Sequence, residues 1–327
     1  MLEFVLITVV KAVVVVTVLL LTCAWMTYAE RKILARMQSR IGPNVAGWKG
    51  LLQPVADLVK LLFKEEVIPG GAQRALYLLA PLLAFIPAML PIAMIPFGNK
   101  ITLFGREINL VIANYDNGLL FILAVASLSV YGIVMAGWSA NSKYSLLGGL
   151  RSSAQMISYE IGIGMSLIGI VLLAGTLNLV DIVGQQNVWY KWFIFRQPVG
   201  FLLYFVCAIA ETNRAPFDLP EAESELVAGY FTEYSSMRFG LFFVGEYANM
   251  VTVATVATTL FLGGWQGPFL PPVLWFIIKA VAVLFIYIWM RASLPRFRYD
   301  QLMKFGWYVV IPLALANILV TALVDLL

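Results

Sequence analysis

Eight long apolar segments divide this chain of 327 residues, and they constrain its fold more than any other feature. Each approaches the ~20 residues that an α-helix needs to cross the hydrocarbon core of a bilayer. Charged residues make up only 12% of the chain, about half the share of a soluble protein, so a water-facing globule is excluded. The segments lie at about 2–28, 75–97, 117–138, 154–176, 197–213, 239–263, 273–293 and 305–326.

This pattern predicts an all-α polytopic membrane protein with about eight transmembrane helices, organised as one membrane domain over residues 1–327. The basic residues predict its orientation. Sixteen of the 22 Lys and Arg residues fall in, or at the edge of, the loops that follow odd-numbered spans, and such an excess marks cytoplasmic loops. Both termini are therefore expected on the outer side of the membrane.

The first cytoplasmic loop contains a further predicted helix, at about 53–66. Its apolar residues recur every three or four positions and share one face, whereas polar residues occupy the other. Such a helix lies on the membrane surface or dips into it. The pattern alone leaves open whether it is a plain surface anchor or a wall of a buried cavity. The apolar face consists of Val55, Leu58, Val59, Leu62 and Phe63.

The chain contains no histidine and only two cysteines, Cys23 and Cys207. Haem, zinc and iron–sulfur sites depend mainly on these two residue types. No Gly-rich nucleotide-binding loop occurs either. We therefore expect no bound metal or cofactor in this chain, so partner proteins would hold the redox centres of any redox reaction.

A loop at about 211–238 is unusually acidic for a cytoplasmic loop beside a membrane. It carries six carboxylates against two arginines. Crowding and burial both raise the pKa of a carboxyl group, and such groups can pass protons near neutral pH. The alternative is a solvated acidic loop that docks a basic partner. The acids are Glu211, Asp218, Glu221, Glu223, Glu225 and Glu233.

Two further carboxylates, Glu160 and Glu246, lie inside predicted spans. A charge at the centre of a bilayer costs roughly 2.5–3.5 kcal/mol, which favours a proton relay, an ion path or a structural ion pair. Lys279, in the seventh span, is a candidate partner for either acid. Glu246 shares a predicted helix face with large side chains, which either pack or line a cavity for a flat, lipid-soluble head group. These are Phe239, Phe242, Phe243, Tyr247 and Met250.

Several ungapped motifs carry a resemblance to a known family, the H subunit of respiratory complex I, which includes mitochondrial NADH dehydrogenase subunit 1. The similarity extends over nearly the whole chain, except for the external loops 98–116 and 177–197. The motifs are Ala29-Glu-Arg-Lys, Arg40-Ile-Gly-Pro-Asn44, Gly50-Leu-Leu-Gln-Pro-Val-Ala-Asp57, Asn141-Ser-Lys-Tyr-Ser-Leu-Leu-Gly148, Glu211-Thr-Asn-Arg-Ala-Pro-Phe-Asp218, Glu221-Ala-Glu-Ser-Glu-Leu-Val227 and Pro295-Arg-Phe-Arg-Tyr-Asp-Gln301.

The resemblance implies a membrane-arm subunit of proton-pumping NADH:quinone oxidoreductase in a bacterial plasma membrane. It implies a quinone chamber lined by Arg31, Arg40, Asp57, Lys60, Phe243, Tyr247, Arg291 and Arg296. It implies a proton path that includes Glu160, Glu211, Glu221, Glu223, Glu225 and Glu246. The expected partners are quinone as substrate, peripheral-arm subunits that carry the terminal iron–sulfur cluster, small membrane-arm subunits and lipid, but no nucleic acid.

Three alternatives remain open from the sequence. A homologous subunit of a membrane-bound hydrogenase or another ferredoxin-fed complex would share these motifs. A secondary transporter would explain acids within the spans, although such proteins commonly contain an inverted repeat, which we do not find. A structural anchor for a soluble module would leave Glu160 and Glu246 unexplained.

Overall fold

The computed structural model describes residues 2–103, 106–218 and 227–326. Helices dominate these ranges, with 3-10 turns at Trp48–Gly50, Leu90–Met94, Trp189–Lys191 and Gly229–Phe231. A short antiparallel hairpin pairs Ile101–Leu103 with Arg106–Ile108. The helices are α1 Leu2–Met37, α2 Gln53–Phe63, α3 Arg74–Met89, α4 Gly118–Ser139, α5 Lys143–Ala174, α6 Leu179–Gln185, α7 Phe193–Arg196, α8 Pro198–Glu211, α9 Ser236–Phe261, α10 Pro272–Ser293, α11 Tyr299–Phe305 and α12 Ile311–Leu326, with a π-helical turn, Gly306–Val310, between the last two.

Seven helical segments among the described residues are long and apolar enough to cross a bilayer. They are α1, α3 with its 3-10 extension, α4, α5, α9, α10 and the continuous run from α11 to α12. The apolar helix α8 is shorter, at 14 residues. The predicted class, an all-α polytopic membrane protein, is confirmed.

The helices differ from the predicted spans mainly at their ends. α1 continues to Met37, past the predicted end at 28, and α5 begins at Lys143, 11 residues before the predicted start at 154. Hydropathy marks where apolar residues stop, whereas the backbone hydrogen bonds of a helix continue through charged residues.

α2 ends at Phe63 because Lys64 is extended, with ψ 137°. The five residues of its predicted apolar face, from Val55 to Phe63, are exposed.

Close backbone packing positions the segment that precedes α9. A Cβ atom at Gly148 of α5 would lie 2.6 Å from the Cα atom of Gly229, so any larger residue there would push the two backbones apart. Tyr230 follows directly and is buried, with its ring centroid 5.7 Å from that of Phe242 in α9. This packing directs the Tyr230 hydroxyl towards the middle of α9.

Candidate functional site

A buried carboxylate, Glu30, lies at the centre of a cluster of charged groups. It stands on the part of α1 that extends beyond the predicted span, and its residue is only 4% exposed. Glu30 accepts hydrogen bonds from the hydroxyl of Tyr247 in α9 and from the guanidinium group of Arg291 in α10. Three helices therefore meet at one acid, and its charge is balanced within the bundle.

Arg214 connects this acid to a second one. One of its guanidinium nitrogens lies 3.7 Å from a carboxylate oxygen of Glu30, and another lies 3.8 Å from a carboxylate oxygen of Glu246 in α9. The guanidinium group also lies over the ring of Tyr247, 4.3 Å from its centroid. Glu246 receives a further hydrogen bond of 3.0 Å from the Tyr230 hydroxyl. A single buried arginine is thus shared by two carboxylates.

Two ion pairs flank the cluster. Arg296 donates to Asp218 at 3.2 Å. Burial raises the pKa of the Asp218 carboxyl above its usual value, and the guanidinium groups of Arg296, Arg291 and Arg214 act in the opposite direction. On the other side, Arg31 of α1 pairs with Asp57 of α2 at 2.7 Å. This second pair is partly exposed and ties the amphipathic helix to α1.

Two further acids, Glu211 and Glu160, lie on α8 and α5. Glu211, at the end of α8, lines a cavity of about 30 Å³ together with Asn249 and Thr252 of α9. The Thr252 hydroxyl is buried and has no hydrogen-bond partner among the described residues. Glu160, on α5, is half-buried, and α5 packs directly against α8, which ends at Glu211. A cavity of this size can hold a water molecule between polar groups.

Lys279 does not pair with Glu160 or Glu246, so that prediction is wrong. Its ammonium group donates to the carbonyls of Leu262, Gly264 and Gln266, at 2.6, 3.0 and 2.6 Å. The physical reason is the C-terminal end of α9, where carbonyls without intrahelical partners and the negative end of the helix dipole attract a cation. The indole ring of Trp192, 4.1 Å away, covers the same ammonium group.

The chain is similar to known proteins over nearly its whole length. A family model described as NADH dehydrogenase matches residues 10–322. The chain belongs to the NADH dehydrogenase family. It is 56% identical to an H subunit of NADH-quinone oxidoreductase from Geobacter metallireducens, over 97% of this chain and 94% of that protein. It is 53% identical to the H subunit of NADH-quinone oxidoreductase from Thermomicrobium roseum, over 96% of this chain and 94% of that protein. The resemblance inferred from the motifs is confirmed.

Within this NADH dehydrogenase fold, the predicted site residues fall into separate groups. Tyr247 and Arg291 join Glu246 through Glu30 and Arg214, and Phe243 lies beside Tyr247 with ring centroids 5.0 Å apart. Other residues of the predicted chamber and proton path are not part of this cluster. Arg40 and Lys60 are exposed, and Glu221, Glu223 and Glu225 lie outside the described residues.

Four residues of the observed cluster and its flanking ion pair are absent from the predicted chamber and proton path. They are Glu30, Arg214, Asp218 and Tyr230. Glu30 stands next to Arg31 and Lys32, which together are typical of a basic anchor. The sequence could have pointed to Glu30 through its position, because an acid so close to the end of an apolar span needs a partner. Arg214 gives a similar signal, since it is one of only two arginines in a loop of six acids.

Proposed function

We propose that the chain is the membrane-arm subunit of a proton-translocating NADH:quinone oxidoreductase, where it forms the quinone entrance and chamber and begins the proton path. The observation that carries the proposal is the position of Arg214 between Glu30 and Glu246. Glu30 contacts two residues of the proposed chamber, and Glu246 belongs to the proposed path. The names of the relatives support the assignment to this enzyme.

The proposed entrance lies between α1, α2 and α9. The exposed apolar face of α2 would face lipid, and the Arg31–Asp57 pair fixes this helix against α1. Phe243 and Tyr247 would offer ring surfaces to a flat quinone head group. A mostly apolar cavity with a few polar groups suits such a ligand. The head group itself would be reduced against partner subunits of the peripheral arm, which carry the electron donor.

The proposed coupling is electrostatic and indirect. Quinone reduction changes the charge in the chamber, and the buried Arg214 then shifts its balance between Glu30 and Glu246. Charge interactions are strong where water is excluded, so a small displacement changes the proton affinity of Glu246. The acids Glu221, Glu223 and Glu225 would pass this change onward, and Glu211 and Glu160 would continue the path. This chain supplies no redox centre of its own.

The Arg214→Lys variant tests the proposal. Lysine keeps the charge but lacks the planar fork that serves two acids at once, so it cannot replace arginine at such a position. We expect the assembled complex to form, while quinone reduction and proton uptake in vesicles, both per assembled complex, fall about tenfold or more. Arg238→Lys is the matched control, because Arg238 pairs with Glu66 at 2.9 Å near the surface. Equal activity in both variants would contradict the proposal.

Two measurements test the surroundings. Tagged complex purified in mild detergent should contain iron–sulfur subunits, and a nickel-site large subunit among its partners would favour the hydrogenase alternative. The proposed bacterial plasma-membrane location, with both termini outside, predicts that a cysteine at Asn114, before α4, is labelled from the periplasm. A cysteine at Ser142, between α4 and α5, should not be labelled. The reverse result would overturn the topology.

A further inference from the structure

A larger cavity lies between α1, α9, α10 and residues 109–112. Its volume is about 520 Å³, and its walls are mostly large apolar side chains such as Leu19, Phe276 and Leu284. This volume falls within the roughly 300–1,000 Å³ typical of ligand sites. Glu30 lies 19 residues beyond Lys11 on α1, or about 28 Å of helix rise, so Lys11 lies at a different depth from the charge cluster.

Lys11 lies at one end of this cavity and is half-buried within an apolar helix. No carboxylate of the described side chains lies within ion-pair distance of its ammonium group. Glu3 is eight residues away along α1, or about 12 Å. An ammonium group at such a position needs a counter-charge, because an unpaired charge near hydrocarbon is costly. The cavity therefore combines apolar walls with a cation whose charge would be balanced by an anionic ligand.

The dimensions match one leaflet of a bilayer. The cavity follows α1 from Lys11 to Thr22, which is 11 residues or about 16 Å of helix. Half the hydrocarbon core of a bilayer is about 15 Å. One acyl chain of a phospholipid therefore fits along the cavity while its phosphate remains at the level that a snorkelling lysine reaches. We propose that this cavity binds an anionic phospholipid, with the phosphate paired to Lys11 and an acyl chain between α1 and α10.

Two features favour this occupant over others. Packed transmembrane helices bring small residues together, whereas Val14, Val18 and Phe276 form a wide trough here. A partner helix is therefore the less suitable occupant. A quinone could accept a hydrogen bond from Lys11, but it is neutral and would not balance the charge of the ammonium group as a phosphate does. The lipid would fill the gap beside the N-terminal half of α1, where most side chains from Val5 to Leu21 are exposed.

The test uses the whole complex reconstituted in phosphatidylcholine vesicles. One sample contains a trace of phosphatidylglycerol with a photoactivatable acyl chain, and the other contains phosphatidylcholine with the same chain. After illumination, mass spectrometry measures the labelling of peptides that contain Val251 or Val281 on the cavity wall. We expect phosphatidylglycerol to label them about fivefold more, the ratio that an ion pair of about 1 kcal/mol gives.

The Lys11→Met variant should reduce this ratio to about one, and Lys191→Met, which alters an exposed lysine in another loop, should leave it unchanged. Ala280→Phe, which fills the trough, should lower labelling by both lipids even where Lys11 is intact. Equal labelling by the two lipids in the unmodified complex would overturn the proposal. A wall that is labelled by neither lipid, that crosslinks to a partner subunit or that prefers a photoactivatable quinone would also overturn it.

Discussion

At one end of α9 and α10, Lys279 donates to three backbone carbonyls, whereas at the other end Arg214 lies between two carboxylates. Both cations are buried. Backbone carbonyls cannot be protonated at physiological pH, so the environment of Lys279 stays fixed. Carboxylates can change charge, so the environment of Arg214 can respond to chemistry nearby. A buried charge held by the backbone is suited to holding a structure, and one shared between acids is suited to transmitting a signal.

The largest expected effect comes from Lys279→Met, which should lower the amount of assembled complex severely. Each buried carbonyl left without its donor costs about 1–3 kcal/mol, and three are affected. Blue native gels and thermal inactivation would measure the loss. Lys191→Met is the control on an exposed lysine. Because the role of Lys279 is structural, the small amount of complex that forms should reduce quinone at a near-normal rate per assembled complex. Normal assembly with low activity would break the comparison.

An intermediate effect is expected for Glu160→Gln and Glu246→Gln. The amide matches the carboxyl group in size, and Arg214 keeps Glu30 as a counter-charge when Glu246 is changed, so assembly should be retained. Proton uptake per assembled complex should fall about tenfold. Glu233→Gln, in the acidic loop at 211–238 and outside the proposed path, serves as the control. Loss of the assembled complex in both variants would show that the two acids form structural ion pairs. Their role would then be structural, like that of Lys279.

A smaller effect is expected for Tyr230→Phe. The change removes one hydroxyl and its 3.0 Å hydrogen bond to Glu246, which is worth about 1.5–3 kcal/mol when the acceptor is charged. Quinone reduction per assembled complex should fall severalfold. Tyr234→Phe is the control, since its hydroxyl approaches Ser139 rather than an acid. An unchanged rate in Tyr230→Phe would indicate that the position of Glu246 does not depend on this hydrogen bond.

The smallest effect belongs to the exposed pair between α1 and α2. Asp57→Asn removes an ion pair that is partly open to solvent, and such pairs are worth about 0–1 kcal/mol. Assembly should remain normal, and the rate should fall no more than about twofold. Raising the salt concentration should reproduce part of the loss in the unmodified complex, because salt screens exposed pairs. A loss as large as that of Glu246→Gln would place Asp57 with the buried cluster.

Hydropathy and charge predict the helical class, and the motifs predict the family. The partners of buried charges are not predictable in the same way. Lys279 and Glu246 both lie in apolar spans, and the sequence does not show that a helix terminus lies beside one and an arginine beside the other. Glu30 escapes prediction because hydropathy ends the first span at 28, although the helix continues to Met37. Pairings across loops depend on packing that local patterns do not encode.

The most direct test of the central claim is a double-mutant cycle between Glu30→Gln and Glu246→Gln. Quinone reduction and proton uptake in vesicles are measured for both single variants and the double variant, each per assembled complex. If Arg214 couples the two acids, their effects are not independent, and the double variant should be little worse than the poorer single variant. If the free-energy losses of the two single variants add in full, the acids act independently and the proposed coupling through Arg214 is contradicted.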